Sequence, residues 1–336
     1  MTSTPSALVT TTLPRPTSRA TRFRRREGWV VAVAFLLVAL MFWRYTQIPT
    51  FGAFEIRTIT AGTMTIALLA MAQAVIVISG GVDLSVGAVM VLANCVAARL
   101  MEGASGAQVA LITVGVLLMA MAVSGIVGLI IVLSGVPDIV VTLAASFTLA
   151  GLALIVLDGP GGGTNTTFQK IFVGGFAQPI PSILWLAGVL LLVWVPFKRS
   201  RLGLATHAIG SDRSAAFLSG INVARTRVIA YVVGGFFSGM AGVVTTAFTG
   251  SGEPRASIGA TATLTSVAAV VLGGVALTGG SGSLVGPSLA AFCLALIPAL
   301  MLGLGWDPNY AEVSRGVIII VVVMIGGLLQ AKRQAA

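Results

Sequence analysis

The sequence is short of charge. Aspartate, glutamate, lysine and arginine make up 9% of its 336 residues, against roughly 25% in a soluble domain. So little charge cannot cover a water-facing surface, and with 57% of residues hydrophobic the chain reads as an all-α polytopic membrane protein. Histidine occurs once, at His207, and cysteine twice, at Cys95 and Cys293. No histidine–cysteine cluster has metal-ligand spacing, so no metal site is expected. The two cysteines lie within apolar runs and read as small packing residues. The three lysines, Lys170, Lys198 and Lys332, do not follow glycines, so there is no phosphate loop of the G-x-x-x-x-G-K-[ST] type. A nucleophile elbow and a close carboxylate pair are missing as well. An enzyme acting alone is therefore not expected, with no catalytic residue and no cofactor in this chain. If the chain takes part in active transport, the energy comes from an ion gradient or from another polypeptide.

What charge there is has a pattern. The formal net charge is +10, but no basic stripe alternates with aromatic residues, so nucleic acid is not an expected partner. The basic residues instead sit between apolar runs. Those runs number about ten, each near the ~20 residues of a bilayer span: 28–44, 58–79, 84–100, 107–133, 138–157, 180–197, 228–249, 258–278, 284–304 and 312–329. Fourteen of the twenty cationic residues fall in the N-terminal tail, the 198–227 segment and the last few residues. The positive-inside rule then places both termini in the cytoplasm. Residues 1–27, rich in Thr, Ser, Pro and Arg, read as a disordered basic tail. A cleavable signal peptide is the competing reading, disfavoured because no small-residue cleavage site follows. Residues 28–330 form the membrane domain and 331–336 a short cytoplasmic tail.

The chain also repeats itself. TMTIALLAMAQAVIVISGGVDLSVG (63–87) is similar to TATLTSVAAVVLGGVALTGGSGSLVG (261–286), offset by about 199 residues. Each copy is a Thr-led apolar run, a Gly-Gly turn and a V-G that opens the next run. Two copies several spans long suggest a duplicated transporter core with its pathway between the halves. Glycine, 41 residues, is frequent within runs such as GGFFSGMAG (234–242), which favours close helix packing. Asp83 and Asp138 are the acidic residues nearest mid-span, and both adjoin breaks, which weakens an ion-gradient carrier reading.

The segment KRSRLGLATHAIGSDRSAAFLSGINVARTR (198–227) predicts a short helix from Asp212 to Leu218, started by Ser211 or Asp212 and ended by Gly220. Its mildly apolar face is read as Ala215, Ala216 and Leu218–Ser219. So short a helix is unstable alone and makes sense against another protein. With GGVDLSVGAVMVL (80–92), PDIVVTLAASFTLAGLAL (137–154), AIGSDRSAAFLSGINVARTRVIAYVVGGFFSGMAG (208–242), SVAAVVLGGVALTGGSGSLVGPSLAA (266–291) and RGVIIIVVVMIG (315–326), the chain resembles the permease subunits of bacterial ATP-binding-cassette sugar importers, ribose type. The resemblance implies an inner-membrane subunit that carries a pentose, hexose or related polyol inward by alternating access. It implies a second permease copy, cytoplasmic ATPase subunits that use ATP and Mg, and an extracytoplasmic sugar-binding protein. It places Gly210, Asp212, Ala215, Ala216, Gly220 and Ile221 on the ATPase-coupling motif. Two departures stand out: Gly210, Ser211, Asp212 and Arg213 replace the usual loop, and Thr263 and Thr265 stand where acidic residues are common. A branched-chain amino-acid permease and a stand-alone gradient-driven carrier remain as alternatives.

Asp83 has two readings. In one it caps the third span, accepting N–H bonds from Ser85 and Val86 at the positive end of the helix. In the other it lines the sugar path. The second repeat copy carries Gly282 and Ser283 near the equivalent place, a hydroxyl without a charge, which favours a structural role in a gate-proximal turn for Asp83 and Ser85. For solute contact the neutral polar residues of the spans are the candidates: Gln73, Asn94, Ser146, Thr148, Thr245 and Thr246. The competing reading for each is hydrogen bonding between helices, worth about 0.6 kcal/mol on average.

Overall fold

The computed structural model describes residues 19–47, 52–175 and 178–305, with single positions from 307 to 324. Apolar runs can cross lipid only with every backbone group bonded internally, and the described residues accordingly form helices and no strand. Six helices are long and apolar enough to cross a membrane among the described residues. They are α1 (Arg19–Gln47, apolar from Val30), α2 (Ala53–Ile78), α4 (Gly106–Ser134), α5 (Asp138–Val156), α11 (Val223–Thr249), and a helix made of α7 (Ile180–Val189), a π turn at Leu190–Trp194 and α8 (Val195–Arg199). Three apolar helices are shorter: α3 (Val86–Met101), α12 (Ala256–Leu272) and α13 (Val285–Gly303). Between the spans lie α6 (Thr166–Val173), α9 (Arg201–Ser211) and α10 (Arg213–Leu218).

The core forms where α2, α3 and α11 meet. Every residue of α2 from Ala67 to Ile78 is buried, the all-round burial of a helix enclosed by others. Helix α11 packs on α2, α3 and α4 at once, and its glycines let them in. Gly234 faces Ile76 of α2, Gly235 and Gly239 face Ala120 of α4, and Gly242 faces Met90 and Ala93 of α3. A Cβ at Gly235 or Gly242 would strike backbone carbonyls, so the close approach depends on the missing side chain. Helices α12 and α13 pack on α2 from another side, and α1 on α13. Most of α5 remains exposed, as an apolar helix facing lipid would be.

The apolar runs locate the helices, with instructive differences at the ends. The eighth run was expected to reach 278, but α12 stops at Leu272 because Gly273–Gly274 ends it, with Gly274 at φ 80°. Helix α11 starts at Val223, five residues before its apolar run, and the 198–227 segment contributes α9 and α10 where one helix was expected. Helix α1 takes in residues 19–27 of the expected disordered tail, since Ala and Arg are good helix formers. Residues 1–18, most of the tenth run and the 331–336 tail lie outside the described residues.

The internal repeat is a repeat of structure. Helix α2, a turn and α3 correspond to α12, a turn and α13. In the first copy Gly81 N–H bonds the carbonyl of Ile76, five residues back, with Gly80 at φ 82°; in the second Val275 N–H bonds Val270, with Gly274 at φ 80°. Both are Schellman endings with glycine at the left-handed position. The next helices begin at Val86 and Val285, so the second turn (273–284) is five residues longer than the first (79–85). The copies also touch, α3 crossing α12 where Gly87 meets Gly259.

Candidate functional site

The two repeat turns meet each other and the 201–213 segment at one end of the bundle. The Gly280 N–H donates to the Ile78 carbonyl at 2.9 Å, joining the second turn to the end of α2. Arg213 Nη2 donates to the Gly80 carbonyl at 2.9 Å. Ser211 Oγ lies 3.4 Å from the Gly280 carbonyl and donates to it, besides its bond to His207 O at 2.9 Å. His207 Nε2 lies 3.5 Å from the Gly282 carbonyl, and its Nδ1 lies 2.9 Å from Gly203 O. Gly210 sits against Ile78 and Gly280, and Gly279 against Gly80, with backbone on backbone. Any side chain at Gly210 would collide with the Ile78 carbonyl. Gly210, assigned from the sequence to ATPase coupling, thus faces the repeat turns.

Around this junction the turn 79–85 is held on its other side by α5 and α11. Asp138, the first residue of α5, accepts from Arg227 Nη2 at 2.6 and 2.7 Å and from Tyr231 Oη at 3.3 Å. Gly81 backs onto the Asp138 carboxylate, and Leu84 N–H donates to Thr142 Oγ1 at 3.1 Å. Asp83 is 1% exposed. Its Oδ1 accepts from Ser85 N and Ser85 Oγ, both at 2.6 Å. The expected bond from Val86 is not formed, because Ser85 itself is the N-cap of α3 and Asp83 lies two residues farther out, closing a turn onto Ser85. The α3 start is served from across the bundle, where Gly87 N–H donates to Thr263 Oγ1 at 3.0 Å. Ser283 repeats the turn bond in the second copy, accepting from Val285 N at 3.5 Å, while Gly282 faces His207. Burial pushes the Asp83 carboxyl up to about 6, against the Ser85 bonds that lower it.

Helix α10 follows directly on this junction. Asp212 is its N-cap, Oδ1 accepting from Ala215 N at 3.0 Å. Gly220 at φ 80° ends it, with Ile221 N–H bonded to Ala216 O, and Asn222 then caps α11. Both caps were legible in the sequence. The outward face was legible only in part, since Ala215, Leu218 and Ser219 face out as read while Ala216 does not and Phe217 was left out. Ala216 is 4% exposed and turned inward, whereas Phe217 and Leu218 are 69% and 84% exposed. The exposed apolar face is therefore Phe217 and Leu218, with Ala215 beside them. Ile221, Gly220 and Phe217 line a groove of about 600 Å³ that reaches Val132 and Arg227.

The neutral polar candidates do not converge on one place. Asn94 and Thr246 bond each other (2.9 Å), and Asn94 also reaches the Ser251 carbonyl and the Glu253 N–H, so the Asn94 amide knits α3 to α11 and its following loop. Thr245 pairs with Thr65 of α2 at 3.1 Å. Thr148 is exposed and bonds back to Ala144, and Ser146 back to Leu143. Ser146 and Thr263 line a cavity of about 230 Å³ between α3, α5 and α12. Thr265 bonds back to Thr261. Gln73 is fully buried, and its amide has no hydrogen-bond partner among the described residues.

Residues 56–323 match the family described as branched-chain amino acid transport system / permease component. The chain belongs to that permease family. Among curated relatives, the ribose import permease protein of Escherichia coli is 30% identical over 264 residues, 77% of this chain and 81% of the relative. The ribose import permease protein of Bacillus subtilis is 32% identical over 262 residues, 77% and 80% of the two chains. An autoinducer 2 import system permease protein of Escherichia coli is 30% identical over 333 residues, 93% and 95% of the two chains. No solved structure matches. The resemblance to ribose-type import permeases is thus borne out, and the permease is a multi-pass membrane component of a transport system. Sequence reasoning missed two residues at its junction. Arg213 was noted only as a departure from the family loop, and Phe217 lay unremarked in the AAFLSG stretch.

Proposed function

We propose that this permease is the membrane-spanning subunit of a binding-protein-dependent importer that moves a monosaccharide into a bacterial cytoplasm at the expense of ATP. The observation that carries the reading is the junction. A short capped helix presents Phe217 and Leu218 outward, and its first residue grips the turn between two core helices. An exposed apolar pair on a six-residue helix suits insertion into a groove of a cytoplasmic ATPase. The absent phosphate loop agrees, with ATP and Mg used by that partner. Both termini then lie in the cytoplasm and the junction at the cytoplasmic face, and the permease, paired with a second copy, alternates between inward and outward access. Coupling involves Gly210, Asp212, Ala215, Ala216, Gly220 and Ile221, with Phe217 and Leu218 added at the contact face. The ribose permeases among its relatives favour a sugar.

The family's description favours a second reading, a branched-chain amino acid. Vesicles holding the permease, its ATPase and its binding protein separate the two. Labelled ribose should accumulate with ATP and labelled leucine should not. The reverse, or uptake without the ATPase, sinks the sugar-importer reading.

A further inference from the structure

The coupling segment does more than present α10 to a partner. Three of its side chains, His207, Ser211 and Arg213, each approach a backbone carbonyl of a repeat turn: Gly282, Gly280 and Gly80 respectively. Ser211 grips the long turn and Arg213 the short turn, while the single N–H of a neutral His207 ring belongs to the nearer Gly203 carbonyl at 2.9 Å, so His207 only packs against Gly282. The turns are in addition bonded to each other by Gly280 N–H and Ile78 O. The five extra residues of the second turn include Gly279 and Gly280, so the added length is what reaches the first copy and α9. A turn that served only to reverse the chain would not need them. Arg213 is also the first residue of α10, so the residue that holds the first turn and the helix that bears Phe217 and Leu218 are one rigid piece. Displacing α10 moves the Arg213 guanidinium relative to Gly80.

We propose that Ser211 and Arg213 form a latch, in which the coupling segment holds the two repeat turns together and movement of α10 releases the Arg213 grip on the first. Arg213 is the positioning residue for the first turn, and Ser211 is that for the second. The inference rests on the ATP-driven reading above and deepens it. It names the carbonyls through which motion at the ATPase contact reaches the paired helices α2–α3 and α12–α13. A ligand-free two-state element of this kind transmits only the difference in contacts between its states, and here that difference is the set of carbonyl bonds.

The test uses the whole complex of permease, ATPase and binding protein in vesicles, and measures labelled ribose taken up per ATP hydrolysed. Arg213→Ala should lower that ratio roughly ten-fold, the size of one hydrogen bond from a charged donor, while the subunits still co-purify. Arg213→Lys should recover part of the ratio, because one donor remains. Ser211→Ala should lower it through the second turn alone. If uptake and hydrolysis fall together so that the ratio holds, or if Arg213→Ala couples like the parent, the latch is overturned and the importer reading stands. If the parent complex hydrolyses ATP without any solute uptake, both are overturned.

Discussion

The two repeat turns begin alike and end differently. Each closes its helix with a left-handed glycine, Gly80 or Gly274, and the same long backbone bond. The first then turns sharply on Asp83 and Ser85 and enters α3 within seven residues. The second spends twelve residues, passes through two further left-handed glycines, Gly279 and Gly280, and closes on the hydroxyl of Ser283. What they share is what any Gly-ended helix pair needs. What they do not share is a buried charge on one side and a docking excursion on the other. The two turns share a helix ending, and the coupling segment docks on the longer excursion that only the second one makes.

The comparison breaks most severely at the point where both turns are held. Gly210→Val places atoms into the Ile78 carbonyl and the Gly280 N–H, neither of which can swing aside. Overpacking against backbone should cost about 3 kcal/mol, read as a fall in the unfolding midpoint of the detergent-solubilised permease. Gly115→Val, on α4 with open space around it, is the control and should shift stability by no more than about 0.5 kcal/mol. Equal effects from the two would mean the junction is not tightly packed.

The shared frame is tested next. Gly80→Ala and Gly274→Ala each force a side chain into left-handed backbone, for about 1–2 kcal/mol apiece. Equal losses sharpen the equivalence of the two helix endings. A loss at Gly80 alone would show that the second ending tolerates a different backbone. Smaller again, Thr263→Val leaves the buried Gly87 N–H without its acceptor and should cost about 1 kcal/mol, with Thr263→Ser close to the parent. A neutral Thr263→Val would remove Thr263 from the start of α3.

Much of this architecture could be read from residues alone, and the reasons differ by feature. The positions of the apolar helices followed from hydrophobic runs, because lipid leaves a backbone no other way to satisfy its donors and acceptors. The caps of α10, Asp212 and Gly220, were legible because capping is decided within four residues. The end of α12 is not legible from apolarity, because Val275–Thr278 continue the apolar pattern past the Gly273–Gly274 pair that stops the helix. The outward face of α10 depends on which side meets the bundle, and nothing within RSAAFL states that Ala216 is the residue turned in. The polar candidates suffered most. Asn94 and Thr246 are 152 residues apart, and their mutual bond exists only once α3 and α11 have packed.

The finest probe of the comparison exchanges the first turn's charge for the second turn's neutrality. Asp83 and Ser283 each accept from the N–H two places on, Asp83 from the N-cap of α3 and Ser283 from the first residue of α13, yet only Asp83 carries a carboxyl, which burial holds at about 6. That is above its value of about 3.9 in an unfolded chain, so protonated Asp83 favours the fold. The contribution is complete below about pH 4, is lost as pH rises through about 6, and stays lost above. Asp83→Asn keeps an oxygen facing Ser85 and cannot ionise. It should remove this part of the pH dependence and leave the permease slightly more stable than the parent at pH 7.5, by less than about 1 kcal/mol, because the neutral bonds to Ser85 are weaker than the charged ones. Unfolding midpoints of parent and variant between pH 4 and 8 decide it, the difference between the two curves cancelling the other carboxylates. A parent–variant difference that stays flat with pH would mean Asp83 titrates as an ordinary carboxyl. A variant less stable at pH 7.5 by more than 1 kcal/mol would mean that the first turn requires its charge and that Ser283 is not its counterpart.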